Sequence, residues 1–280
     1  EGWVEAVGDD RPTPIGNLDS PVRAAVDRTG LVAFDGLGWS LDWWIGAEDR
    51  WHVPAREAAV RQGLLRGSPV VETRVRVPSG DAVHRAYGAR GPAGEDVVVV
   101  EIHNDSTIPF AVALALRPYG LDGEGGLGSV RLDGRRVAVD GADALCLPRS
   151  PGRVAFSTGG RGDAAAAVFD GAAERVGDAA VVCRDGLATA ALLFPLAHTA
   201  TLRVVLAVPG AALPTPEAVP SPDQVASGWA TQGGVGARFE VPERRLREGL
   251  AASTGRLLLA AAGPADAEAL DVLGLHRDAA

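Results

Sequence analysis

The sequence predicts a mainly-β protein of two packed layers followed by a short helical segment. Three observations predict it. Brief apolar runs are punctuated at short intervals by 36 glycines and 19 prolines, which is how many-stranded β architectures read. Between Val70 and Val77 the chain alternates strictly. Helical spacing of apolar residues enters only after Pro209.

The elements follow in order. In GWSLDWWIG, strand alternation puts Trp39, Leu41, Trp43 and Ile45 on one face and Ser40, Asp42, Trp44 and Gly46 on the other. The first set reads as core. The second sets an indole beside a carboxylate, a pairing that could grip the apolar face and the hydroxyls of a sugar, so Asp42 and Trp44 are the candidate ligand-binding residues. Trp51 is expected to pack across the same hairpin. VVETRVRV (70–77) turns through PSGD into AVHRAYGAR, a hairpin with one wet face. DVVVVEIHN (96–104) and PFAVALALRP (109–118) read as a second pair, buried on both sides. VRLDG, RRVAVDG and DALCLP are joined at Asp133-Gly134 and Asp140-Gly141, where tight hairpins need positive φ. RVAFST, AAAAVFDG, AAVVCRDG, ATAALLFP and TATLRVVLAVP continue the strands. A dozen or more are too many for one flat sheet, so two packed sheets are expected over residues 1–209.

Residues 210–237, which contain AALPTPEAVPSPD (211–223), read as a proline-rich linker or strap. Residues 238–280 read as a helical segment. Pro242 suits the first helical position, and Leu246, Leu250, Leu257 and Leu258 fall on one side of a helix. PADAEALDVLG follows as a second helix.

Composition excludes several functions. All 27 basic residues are arginine and the formal charge is −9. Lysine-dependent Schiff-base or phosphate-loop chemistry is therefore absent, and a nucleic-acid partner is disfavoured. An uncharged or cationic small ligand fits better. No apolar run suggests a membrane span, and no secretory leader is visible, which points to the cytoplasm. Cys146 and Cys183 sit in apolar runs and read as buried free thiols; neither cysteine spacing nor a histidine cluster suggests a metal site, and no cofactor motif is found. GEGGLG (123–128) matches the dinucleotide fingerprint by letter, but a strand follows where a helix is required. RGD (161–163) is a three-residue match in a glycine-rich turn. Glu101 and His103 share a face of one strand, and with His84 they could serve as base and acid in sugar chemistry; solvent-facing or structural roles are the blander reading. His52 and His198 have no visible partners, and no glycosidase-type carboxylate pair stands out.

GWSLDWWIGAEDRWHVPAREAAVRQ, VVETRVRVPSGDAVHRAYG, VVVVEIHNDSTIPFAVALALRPYG and FPLAHTATLRVVL together resemble the amino-terminal region of actinobacterial proteins related to six-hairpin glycosidases, the glucoamylase-like and glycogen-debranching-like hydrolases. The resemblance implies a β-supersandwich of the galactose mutarotase type. It also implies that ERRLREGLAASTGRLLLAAA is the entry to an (α/α)6 barrel that is largely outside this chain. That family carries its catalytic carboxylates in the barrel, so no catalytic residue is transferred here. The expected role is a non-catalytic domain that packs on, and shapes the cleft of, a helical catalytic domain of the same parent chain. The alternatives are an oligosaccharide-binding module and an aldose mutarotase or epimerase.

Overall fold

A computed structural model describes residues 3–5, 11–20, 22–175, 179–233, 242–260 and 264–275. Nineteen strands among these residues form two antiparallel sheets. The first sheet has ten strands. From edge to edge it runs β1 (Trp3–Glu5), β7 (Val60–Leu65), β8 (Val70–Val77), β9 (Gly80–Arg90) and β10 (Asp96–Ser106). It continues through β19 (Thr201–Leu206), β14 (Ala142–Cys146), β13 (Arg136–Val139), β12 (Ser129–Asp133) and β17 (Ala179–Val182). The second sheet has nine. Its main path is β16 (Glu174–Arg175), β15 (Arg153–Ser157), β18 (Thr189–Leu196), β11 (Phe110–Arg117) and β5 (Ser40–Gly46). It ends with β4 (Val32–Phe34), β3 (Ala24–Val26) and β2 (Thr13–Ile15), while β6 (Trp51–His52) pairs with β5 off the main path.

The expected two-layer sandwich is therefore present, and alternation explains its core. Val71, Val75, Ala86, Val100 and Ile102 of the first sheet meet Trp43, Ile45, Val112, Leu114 and Phe194 of the second in one buried cluster. Each large side chain removed from water here contributes roughly 1.5–3 kcal/mol. β11, and β10 from Val97 to Ile102, are buried on both faces because the outer faces there are covered too, whereas His103 is half-buried and Asp105 exposed. A second apolar cluster lies outside the ten-stranded sheet, where Tyr87, Val99 and Val205 meet Leu213, Val219 and Ala226. A third lies outside the nine-stranded sheet around Trp44.

Four expectations change. β10 and β11 are not a pair: β10 bonds to β9 and β19, β11 to β5 and β18, and the chain crosses between the sheets at Thr107–Pro109. AAAAVF is not a strand but helix α1 (Ala164–Phe169), because alanine favours helix and Asp163 caps it by accepting from Ala165 N at 3.0 Å. The linker is partly helical. Residues 210–221 cross the outer face of the ten-stranded sheet as a strap, and α2 (Pro222–Gly233) follows. Its start is a capping box, with Gln224 N donating to Ser221 Oγ at 3.3 Å and Ser221 N to Gln224 Oε1 at 2.8 Å. Finally, α3 (Arg244–Ala260) does not bury its leucine stripe evenly: Leu246 and Leu250 are 56% and 39% exposed, while Gly255 is buried and Ala252 packs on the core. α4 (Pro264–Val272) contacts α3 and buries Leu270.

The expected tight turn at Asp140-Gly141 has φ of 49° and 85°. GEGGLG is a packing device instead of a nucleotide loop: a Cβ on Gly38 would lie 2.7 Å from Gly126 N, and Gly126 N donates to Gly38 O at 2.7 Å. RGD ends in the cap of α1. Cys146 and Cys183 are both free and buried. No helix among the described residues is long and apolar enough to cross a membrane.

Candidate functional site

Asp42 and Trp44 share a face of β5 as alternation requires, but that face lies under α1. Trp44 is 2% and Asp42 7% exposed. Trp44 Nε1 donates to Asp42 Oδ2 at 2.9 Å, and Trp43 N donates to Oδ1 at 2.8 Å. Phe169 covers the indole at 5.3 Å between ring centroids, and the Arg117 guanidinium lies 5.5 Å from it. Arg117 is itself held by Asp163, with Nη1 donating to Oδ1 at 2.9 Å. Burial pushes the Asp42 carboxyl up to about 6, against the hydrogen bonds from the Trp44 indole and the Trp43 backbone N–H and the charge of Arg117. The pair forms a closed hydrogen-bonded unit, and no ring face is open to a sugar. The covering helix is the segment whose alanines read as strand.

Glu101, His103 and His84 do not converge. The register pairs Ile102 with His84, so His84 points into the core while Glu101 and His103 face outward. His84 is 1% exposed and stacks on Trp43 at 5.0 Å and 26°. Burial lowers its pKa from 6.5 to about 3, so the imidazole is neutral, and its Nδ1 has no hydrogen-bond partner among the described residues. A Glu101–His84 proton relay is excluded because the sheet stands between them.

What the register does assemble is a grid on the outer face of the ten-stranded sheet. One row across β8, β9, β10 and β19 reads Glu72, Arg85, Glu101, Arg203; the next reads Arg74, Val83, His103, Thr201. Same-face neighbours in such rows have Cβ atoms about 5 Å apart. Glu72 is 2% exposed and takes Arg74 Nε at 2.8 Å and Arg85 Nε at 2.7 Å, one on each oxygen. Burial raises its pKa, but the two guanidiniums outweigh that and hold it below the usual range. Glu101, 3% exposed, uses a single oxygen. Oε1 accepts from Arg203 Nε at 2.6 Å and lies 2.9 Å from Tyr87 Oη. Oε2 has no hydrogen-bond partner among the described residues. The strap walls one side of the grid: Arg203 Nη1 reaches Pro216 O at 3.3 Å, and Tyr87 Oη lies 3.1 Å from Pro220 O. His103 is half-buried, with Nδ1 3.0 Å from Thr201 Oγ1; burial and the positive field of Arg85 lower its pKa.

Sequence reasoning found Glu101 and His103 but not their cationic neighbours, although Glu-x-Arg on one strand and Arg-x-Tyr on the next carry that signal. It also left His52 without partners. The structure buries His52 with Nε2 3.0 Å from Asp49 Oδ1 and Nδ1 3.2 Å from Glu57 Oε1, the second contact too poorly aligned for a hydrogen bond. Arg50 also holds Glu57, at 2.5 and 3.0 Å, so this cluster is a closed hairpin clasp. Trp51 lies against Gly46, where a Cβ would come within 2.9 Å of the indole. His198 is exposed. Among the described residues no three His, Cys, Asp or Glu side chains are placed to hold a metal ion. Among the described residues no carboxylate or imidazole lines the cleft between Pro109, Arg149 and Pro195. No protein-family model matches the chain, and no curated protein matches it.

Proposed function

We propose that this chain is the non-catalytic sandwich domain of a carbohydrate-active glycoside hydrolase, serving as the platform for a helical catalytic domain of the same parent chain. The observation that carries the reading is the seating of α3. Its inner side is fixed to the sandwich: Arg23 Nη1 donates to Leu259 O at 2.8 Å, and Gly255 lies against Pro69. Gly67, at φ +73°, leaves room for Glu248 O where a Cβ would stand 2.6 Å away. Its other side exposes Leu246 and Leu250, the apolar edge that a neighbouring helix would cover. The buried carboxylates support the absence of turnover, since Asp42 and Glu72 have both oxygens committed and Glu101 is pinned at one.

The test is to read the encoding frame past Ala280 and to assay both products. The reading expects a helix-rich continuation whose expression with residues 1–280 releases sugar from starch-like or aryl-glycoside substrates, while residues 1–280 alone release none. A frame that stops directly after Ala280, or turnover by residues 1–280 alone, overturns it.

A further inference from the structure

We infer that the cleft between the last turn of α3 and strands β2 to β4 is a binding site for a small free α-amino acid, taken up as its zwitterion. The cleft has a volume of about 270 Å³ and is lined by Asn17, Ser20, Arg23 and Asp35 among apolar neighbours. Its two charges stand opposite each other at the end of a strand pair. Ala24 pairs with Phe34, and one step further on Asp35 N donates to Arg23 O at 2.9 Å, so Arg23 and Asp35 are direct cross-strand neighbours on one face. Opposite charges so placed ordinarily close on each other. Here Arg23 is drawn off to α3, where Nη1 donates to Leu259 O at 2.8 Å, and no ion pair joins it to Asp35 among the described residues. The Asp35 carboxylate and the other guanidinium nitrogens of Arg23 have no hydrogen-bond partner among the described residues. A cation and an anion that are held apart therefore open onto one cleft.

Charge selects the ligand class. A simple anion attracted by Arg23 would meet Asp35, and a simple cation attracted by Asp35 would meet Arg23. An α-amino acid carries both charges on one carbon, so its carboxylate can accept from Arg23 while its ammonium donates to Asp35, and both bonds are charge-assisted. Two neighbours add one partner of each kind. Ser20 Oγ accepts from Val22 N at 3.0 Å and keeps its own hydrogen for the carboxylate. Asn17 spends Nδ2 on Ala89 O and Asp96 Oδ1 and keeps Oδ1 for the ammonium. The carbonyl end of α3, at Leu259, also favours the cationic group. Pro14, Val22 and Ala25 complete the lining, so the side chain that fits is small and apolar. Arg23 and Asp35 lie at the exposed mouth, where water weakens both bonds, and an affinity of about millimolar is expected. The site shares no residue with the Asp42–Trp44 unit or with the grid around Glu101, and it involves no chemical step. It uses α3 only as a wall, so it stands or falls independently of the platform reading.

Glycine, L-alanine and L-valine are the probes, with propionate, which lacks the ammonium, and ethylamine, which lacks the carboxylate, as controls. The readout is the backbone amide resonances of Gly16, Ala25 and Asp35, followed by two-dimensional NMR of the whole chain near neutral pH. At least one amino acid is expected to shift these resonances saturably, and each control to bind at least about tenfold more weakly than that amino acid. Asp35→Asn keeps the backbone N–H that bonds to Arg23 O and is expected to weaken binding about tenfold, the loss of one charge-assisted hydrogen bond. The inference is overturned if none of the three amino acids moves these signals, if either control binds as tightly as the best amino acid, or if Asp35→Asn binds as the wild type does. Should Asp35→Asn fail to fold, the wild-type titrations with the two controls decide by themselves.

Discussion

The two buried ionisable groups flanking Trp43 act on stability in opposite directions, and replacing His84 with phenylalanine separates them. His84 is held near 3 in the fold against 6.5 ordinarily, so the unfolded chain binds a proton that the folded chain refuses as pH falls below 6.5. Its contribution is intact above 6.5 and is lost progressively toward 3. Between pH 7 and pH 5 this removes about 2 kcal/mol, at about 1.4 kcal/mol per pH unit beyond the first half-unit. Asp42 is raised to about 6 from 3.8, so the folded chain takes up the proton first. Its contribution is greatest below 3.8 and fades as pH rises through 6; acidification from pH 7 to pH 5 restores about 1 kcal/mol. The wild type therefore loses about 1 kcal/mol from the pair over that interval, and His84→Phe, which keeps a ring against Trp43, gains about 1 kcal/mol. Urea unfolding followed by tryptophan fluorescence at both pH values measures the difference. The other histidines are common to both proteins and cancel. Equal pH dependence in the two proteins would refute a buried neutral imidazole at position 84.

Further perturbations test the remaining structure. Asp163→Ala removes the cap of α1 and the partner of Arg117 together, and should cost about 2 kcal/mol; a red shift of tryptophan emission would report the uncovering of Trp44. Glu72→Gln leaves two guanidiniums facing a neutral amide, so a loss of about 2 kcal/mol in urea unfolding at pH 7 is expected, and the gap to wild type should narrow below pH 4.5, where the low-titrating Glu72 begins to protonate in the unfolded wild-type chain. Gly38→Ala forces a Cβ to within 2.7 Å of backbone and should lower the melting temperature by several degrees, about 1–3 kcal/mol. Leu246→Glu with Leu250→Glu should change the stability of this chain by less than about 0.5 kcal/mol per site, because both side chains already face water.

Much of the fold is legible because period-2 alternation survives wherever a sheet has one buried face. Val71 to Val77, Trp39 to Ile45 and the turn at Asp140-Gly141 can be read residue by residue. Pairing is less legible. Nothing local in NDST distinguishes a hairpin from a crossing between sheets, since β10 pairs with β9 and β19 and β11 with β5 and β18, and one partner of each lies near residue 200, far along the chain. Alanine runs misled for a different reason: AAAAVF is apolar enough for a strand, and only the Asp163 cap marks it as helix. That one misreading hid the lid over Trp44 and made an internal hydrogen bond resemble a sugar grip. Conversely, SPDQ announces α2 through its capping box, and the proline content of the surrounding segment masked it. The grid was half visible, because same-strand alternation gives Glu101 and His103, whereas Arg85 and Arg203 join them only through register.

The placement of β18 and β19 governs how the molecule is made. β18 lies between β11 and β15 in one sheet and β19 between β10 and β14 in the other, so residues 189–206 are the closing seam of both layers. A nascent chain lacking them holds each layer as two unjoined halves with bare backbone edges, the state most exposed to pairing with a neighbouring molecule. These two strands, the latest in sequence within the two sheets among the described residues, thus act as a double zipper, and closure of both layers must wait for them.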